Sequence, residues 1–439
     1  MEDRFAHVRP WGERRTQIGW WHSFELPEGR TITGVCSLES LKTRIAQFPI
    51  PQQLTGKRVL DIGTWDGWFA FEMERRGADV VAIDCWDNPR FREVRSLLRS
   101  HVDYRQMDVY ELTPETIGRF DIVLFMGVLY HLKHPLLGLE RVCALSTDFA
   151  AVDSFVIQEK HLPGADVATR AVMEFYETDE FGGDFTNWAG LSLPCLRAFC
   201  RTAGFARVEL RSVLEYGACL ACYRRWESPA HDAPPGPELV EVFHSANFGI
   251  NFQSRYDDYV TCIFRSPEPG LTRNDVKPEV SGYGAIPLAT KSLESGLWQA
   301  DFKVPPGLPP GWHEVTVRVD RSLPGTARRI ALDLPLHVSS LQVRAICDAL
   351  SGTPDRVDLG RGHWLSVWIE NLPENADRNN VRILAAESRW PVTYVDPAGN
   401  ATRQINFEVP QGLAPGSYAF CVAIGNYRSD PVPFDVVVA

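Results

Sequence analysis

The sequence predicts an α/β unit with a mainly parallel seven-stranded sheet covered by helices on both faces, followed by two all-β sandwiches. Three observations carry that expectation. From residue 57 to about 225, short β-branched runs alternate with helical periods, the pattern of a sheet wrapped by helices. Beyond residue 240 the helical period stops, and short alternating runs separated by Pro and Gly take over. Within that second half one stretch recurs 105 residues further on.

In chain order, "KRVLDIG" reads as the first strand, "GWFAFEMERRG" as a helix stopping at Gly77, and "ADVVAID" as the second strand. "NPRFREVRSLLRS" is helical with Pro89 near its start, and "VDYRQMDV" is extended. "FDIVLFMGVLYHL" is a buried strand running into a loop, "PLLGLERVCAL" a helix and "FAAVDSFVIQE" a fifth strand. "LPCLRAFCRTAG" is a helix ending at Gly204, and "FARVELRSV" with "ACLACYRR" closes the sheet as a strand pair. In such sheets ligands lie beyond the carboxyl ends of the strands.

"ESPAHDAPPGPEL" is a Pro-rich linker. After it, "QADFKVPPGLPPGWHEVTVRV" from Gln299 aligns with "QINFEVPQGLAPGSYAFCVAI" from Gln404, matching Phe302 to Phe407, Pro305 to Pro410, Gly307 to Gly412 and Gly311 to Gly416. A period near a hundred residues suits one sandwich per repeat and is too long for a solenoid. The shared F-x-V-P-x-G-L-x-P-G resembles the strand-turn-strand of bacterial immunoglobulin-like domains of the IPT/TIG type. The expected layout is an N-terminal lid or extension over 1–56, the α/β domain over 57–226, the linker over 227–239, and immunoglobulin-like sandwiches over 240–336 and 337–439.

Composition narrows the function. With 44% hydrophobic and 23% charged residues the chain reads as soluble, and no apolar run is long enough for a membrane span or a signal peptide. A cytoplasmic protein without membrane contact is expected. The net charge of −11 disfavours a nucleic-acid partner, which calls for a basic stripe. Ten scattered cysteines argue against a disulfide framework, and Cys219 with Cys222, lacking a second pair, reads as buried strand cysteines and no metal site.

The chemistry centres on "RVLDIGTWDGWFAF". Gly63 and Gly67 are spaced G-x-x-x-G, and Trp65 stands where a dinucleotide fingerprint wants its middle glycine, so a nicotinamide cofactor is disfavoured. S-adenosyl-L-methionine fits better. It has no phosphate, and its ammonium and sulfonium need close backbone and nearby carboxylates. Asp61 ends the first strand and could face that cationic end. Asp84 ends the second, where a carboxylate takes both ribose hydroxyls, and Asp108 ends the third, near the adenine amino group. Singly, each aspartate equally suits a cap or a turn.

This order of features resembles the class I S-adenosylmethionine-dependent methyltransferases, whose domain is Rossmann-like. "DIGTWDG", "GVLYH" and "EFYETDEFGGDFTNWAGLSLPCLRAFCRTAGF" narrow the resemblance to the branch containing the tRNA wobble-uridine (carboxy)methyltransferases, over residues 20 to 225. By position, the resemblance implies cofactor contacts from Asp61, Gly63, Gly67, Asp84, Asp108, Val109, Met126 and Tyr130. Carboxymethylating members carry a Lys before a Gly upstream of the first strand. Here that position is Glu28, with Arg30 close by, so ordinary S-adenosylmethionine is expected.

A base that removes a hydroxyl proton is worth about 10²- to 10⁴-fold in rate. His131, after the fourth strand, is the first candidate, against the alternative of a loop-orienting histidine. His22 is the second. Beside it Trp20 and Trp21 form an expected aromatic lid over the acceptor, or else pack the segment on the sheet edge. Asn187 and Trp188 in "DFTNWAG" are candidate acceptor contacts. The expected activity is methyl transfer to an oxygen or nitrogen of a small molecule or glycan. The alternatives are a tRNA wobble-uridine modifier and a catalytically inactive binding protein. The sandwiches are expected to assemble the protein, as a homo-oligomer for instance, or to bind glycan through exposed Trp298 or Trp312.

Overall fold

The computed structural model describes residues 19–215, 217–385, 388–397 and 399–438. Residues 1–18 of the expected N-terminal extension lie outside them.

Seven strands form one sheet: β1 (Arg58–Ile62), β2 (Asp79–Asp84), β3 (Asp103–Gln106), β4 (Phe120–Met126), β5 (Ser146–Ser154), β6 (Arg207–Leu214) and β7 (Gly217–Tyr223). Their spatial order is β3-β2-β1-β4-β5-β7-β6. The first five run parallel, and β7 is antiparallel to both its neighbours. The order reverses direction between β1 and β4, which opens a crevice at their carboxyl ends.

Alternation along each strand decides which layer its side chains join. Leu60 and Ile62 of β1, with Val123 and Phe125 of β4, pack beneath α4 (Pro135–Leu145) and α5 (Leu193–Thr202), once α1 (Leu38–Ile45), α2 (Trp68–Arg75) and α3 (Pro89–Leu98) are counted ahead of them. Val59, Ile122 and Leu124 point the other way, onto a cluster with Leu41 and Ile45 of α1, Phe69 and Met73 of α2, and Phe91 and Val94 of α3. The helix boundaries follow from caps. Ser37, Asn88 and Ser192 each accept a first-turn backbone N–H, and Pro stands in the first turn of α3, α4 and α5.

Two turn glycines are fixed by packing. Gly63 has φ 71°, and a Cβ there would lie 2.3 Å from Val128 Cγ2. Gly67 has φ 97° and faces the Phe91 and Phe71 rings, with Phe91 Cε2 only 2.5 Å from an added Cβ. Gly67→Ala therefore combines a left-handed backbone with overpacking, and about 2–3 kcal/mol of stability loss is expected in urea unfolding. A variant as stable as the parent would contradict this packing.

Two β-sandwiches follow. The first faces a four-stranded sheet with a five-stranded one around Phe252, Phe264, Phe302 and Ile330. The second repeats the plan around Phe407, Phe420 and Phe434. Strands Tyr259–Arg265, Val276–Val280, Leu297–Lys303 and Gly311–Val319 recur 105 residues on as Trp364–Glu370, Val381–Ala385, Thr402–Glu408 and Gly416–Ile424. Trp298 is buried in the first core, and Trp312 is half-buried under Arg329, so neither is the exposed glycan platform the sequence suggested. Alternation placed Trp298 inward.

The repeated proline-glycine loops have different fates. In the first copy Gly307 carbonyl accepts from Arg119 Nε at 3.0 Å, and Pro306 carbonyl accepts from Arg224 Nη2 at 2.6 Å. Arg224 is fully buried, with its guanidinium 4.4 Å above the Tyr283 ring. A Cβ on Gly307 would meet Ala144 carbonyl at 2.3 Å. The first sandwich is thus seated on the α/β unit. The matching loop of the second copy, at Pro410–Gly412, is exposed.

Candidate functional site

The carboxyl rim of the sheet carries Asp61 on β1, Asp84 on β2, Met126 on β4 and Asp153 on β5, with Asp108 just past β3. Asp61 is 2% exposed and accepts from Thr64 Oγ1 at 2.7 Å. Burial pushes its carboxyl up to about 6, with Asp84 adding to the rise and the Thr64 bond and His22 opposing it. A buried carboxylate in that state gains from a nearby cation.

Asp84 holds the turn after β1. Its Oδ2 accepts from Trp65 N–H at 2.9 Å, supporting a residue at φ 54°, and its Oδ1 accepts from Trp86 N–H at 3.1 Å. Asp108 is exposed and caps the following turn through Tyr110 N–H at 2.9 Å; Val109 is buried in the core beside it. Met126 is 8% exposed and is followed by Gly127, at φ 77°.

Sequence reasoning passed over Arg44. On α1, it makes a two-pronged ion pair with Asp153, at 2.6 and 2.7 Å, and its Nη2 lies 3.6 Å from where a Cβ on Gly127 would stand. The Asp153 carboxylate raises the guanidinium's affinity for its proton against the cost of burial. The signal was a lone Arg in a helical stretch, 109 residues from its partner. Asp66 was also passed over, although it lies inside the quoted glycine turn. It is fully buried, accepts the N–H groups of Trp21 and His22 at 2.8 and 3.0 Å, and pairs with the His22 imidazole.

That pairing changes the reading of the N-terminal segment. His22 is 5% exposed and paired with Asp66, so its imidazole anchors the segment. Trp20 packs edge-on against Phe24 at 6.0 Å and joins the core cluster, the packing alternative to a lid. Trp21 carbonyl accepts from Cys36 N–H at 2.8 Å, and its own N–H is held by Asp66. Glu28 is exposed at the tip of a short hairpin.

After β4, Tyr130 and His131 follow Gly127 in a single turn of helix. Their rings lie 4.4 Å apart. The loop 181–188 folds over them, with Trp188 N–H donating to Tyr130 carbonyl at 2.8 Å. His131 Nδ1 lies 3.1 Å from both the carbonyl and the hydroxyl of Thr186. Lys133 Nζ sits 4.2 Å from the Trp188 ring centre. Asn187 is 6% exposed and donates to Phe181 carbonyl at 2.9 Å, which makes it a support for the loop. Among the described residues no cluster of three or more His, Cys, Asp or Glu could hold a metal, and no helix is long and apolar enough to cross a membrane.

Residues 36–154, from the segment before α1 to the end of β5, match a family model described as a methyltransferase domain. The chain carries an S-adenosylmethionine-dependent methyltransferase domain. Over 86 residues this domain is 40% identical to the ubiquinone biosynthesis O-methyltransferase of Acinetobacter baylyi, covering 19% of this chain and 36% of that one. Over 163 residues it is 32% identical to the tRNA U34 carboxymethyltransferase of Pseudomonas syringae pv. tomato, covering 36% and 47%. The chain thus spans between about a third and a half of the length of these curated relatives. The solved N-terminal domain of EvdMO1, in the presence of SAH and D-fucose, overlaps 51% of this chain and 98% of that one at 20% identity and a TM-score of 0.36.

Proposed function

We propose that the whole protein is an S-adenosylmethionine-dependent methyltransferase acting on an oxygen or nitrogen of a small-molecule or glycan acceptor. The observation that carries this reading is the row of carboxylates along one rim, at the crevice between β1 and β4, within the stretch matched by the methyltransferase model. Asp61, buried and in need of a cation, suits the ammonium and sulfonium end. Asp84, at the carboxyl tip of β2, suits the two ribose hydroxyls, and the Gly63 turn keeps the backbone close. Arg44, half-buried beside Gly127, suits the carboxylate of the methionine moiety.

Bound S-adenosylmethionine supplies an activated methyl for in-line displacement. The chain's own residues then orient the acceptor, exclude water and remove a proton where the acceptor is a hydroxyl. Proximity of this kind accounts for about 7–11 kcal/mol of barrier. The C-terminal sandwiches are read as immunoglobulin-like accessory domains beginning after the 227–239 linker, with the first braced against the catalytic unit through Arg119 and Arg224.

The decisive test is calorimetric titration with S-adenosylmethionine. Asp84→Ala removes two prospective charge-assisted bonds, so affinity is expected to fall roughly 100-fold or more. Unchanged affinity would remove the site. The similarity to the tRNA enzyme over 163 residues favours a second reading, RNA modification. The charge of −11 and the exposed Glu28 weigh against it. Retention of labelled methyl on tRNA, and not on small hydroxylated or planar acceptors, would reverse that preference.

A further inference from the structure

The outward face of α5 carries charges that the carboxylate rim does not use. Cys195, Leu196 and Cys200 of this helix join the core, which leaves Arg197 and Arg201 one turn apart on the other side. Like charges four residues apart on a helix repel and destabilise it. Among the described residues neither guanidinium has a carboxylate partner, and Arg197 Nε is buried without an acceptor. With Ala168, Leu193 and Pro194 the two arginines line an open hollow of about 370 Å³, the size of a small-ligand site. Arg273 of the first sandwich brings a third charge to them. Partial burial, followed by the charges of Arg197 and Arg273, holds the Arg201 guanidinium below its ordinary range. The carboxylates of the two flanking loops are engaged locally. Asp166 accepts from Thr169 N–H and hydroxyl, and Asp275 accepts from Thr272 N–H at 2.7 Å and from its hydroxyl at 2.6 Å.

We propose that Arg197, Arg201 and Arg273 bind the phosphate group of a small phosphorylated molecule in this hollow. A guanidinium offers parallel N–H donors that match two phosphate oxygens, and a phosphate dianion relieves the repulsion among several such groups. The hollow is larger than one phosphate ion, so the remainder of the molecule lies over Ala168, Leu193 and Pro194. An RNA backbone suits it less, because tracking a phosphate chain calls for a basic stripe, and this chain carries a net charge of −11. None of these residues belongs to the carboxylate rim, so the site stands independently of the methyl-transfer reading. Because Arg273 comes from the sandwich, the seating of that sandwich on the α/β unit completes the site.

The probes are inorganic phosphate and inorganic pyrophosphate, titrated into the full chain by calorimetry at low salt. Pyrophosphate, with its greater charge, is expected to bind the more tightly. Arg197→Gln and Arg273→Gln are each expected to weaken it roughly tenfold or more, and Arg389→Gln, at an exposed arginine of the second sandwich, to leave it unchanged. Each of the first two substitutions removes one of a set of repelling charges, so stability in urea should equal or exceed the parent's, which separates lost binding from lost folding. S-adenosylmethionine affinity, measured on the same samples, should not move. A parent protein that binds no pyrophosphate, or an affinity that survives both substitutions, overturns the proposal. So does a short single-stranded RNA that binds through these arginines where pyrophosphate does not. A loss of S-adenosylmethionine affinity in step with that of pyrophosphate would assign the arginines to the rim and overturn the separate site.

Discussion

Asp66→Ala is expected to be the most damaging single substitution at this site, at about 3–5 kcal/mol of stability, because it strands a buried imidazole, the buried His22 N–H and the part-buried Trp21 N–H. The carboxylate is fully buried, it accepts Trp21 N–H and His22 N–H, and it pairs with His22. These two bonds tie the chain at that point to the turn after β1. Urea unfolding should show the loss, and hydrogen exchange should show the Trp21 and His22 amides opening before the sheet does. Asp66→Asn keeps an acceptor for one backbone donor and should lose less. Equal stability of parent and alanine variant would mean that the segment is held by other contacts. Since Trp20, Phe24 and Leu41 pack in one cluster with α2, the loosening should spread toward the cofactor crevice.

Binding of S-adenosylmethionine is expected to weaken as pH falls through about 6, by up to tenfold per unit, because Asp61 must shed its proton to face a cation. The linkage to stability has the opposite sense. The folded carboxyl titrates at about 6, above its ordinary 3.8, so the ligand-free protein loses stability as pH rises between those values and the loss is complete above the higher one. The neighbouring groups are Asp84, the Thr64 hydroxyl and the His22 paired to Asp66. Asp61→Asn can still accept from Thr64, and it should raise the stability of the ligand-free protein near neutral pH by about 2 kcal/mol while abolishing the pH dependence of binding. Calorimetry between about pH 5 and 8 checks the binding slope, and urea unfolding of both proteins checks the stability. A flat binding profile in the parent would place the cation elsewhere on the rim.

The elements of the α/β unit were legible because each repeats a local rule. Continuous apolar runs such as "FDIVLFM" make central parallel strands, and Ser, Asn and Pro mark the helix starts. Asp61 and Asp84 could be placed on the ligand rim from the strand periodicity alone. Roles that depend on partners far along the chain were not legible. His22 looked like a base, and its pairing with Asp66 joins residues 44 positions apart. Arg44 and Asp153 carried no sequence signal of their pairing, which exists only because α1 carries one to the end of the strand holding the other. Gly67 looked like room for a ligand, whereas Phe91 and Phe71 fill the space beside it.

The sequence by itself determined the strand and helix order, the carboxylates at the strand tips and the 105-residue duplication, because each is written in spacing along the chain. Only the tertiary structure decided which of two matching loops is seated. Pro306 and Gly307 meet Arg224, Arg119 and the end of α4, while Gln411 and Gly412 face solvent. A loop's own residues set its shape, but its carbonyls find their donors only where the rest of the chain has brought two arginines to meet them.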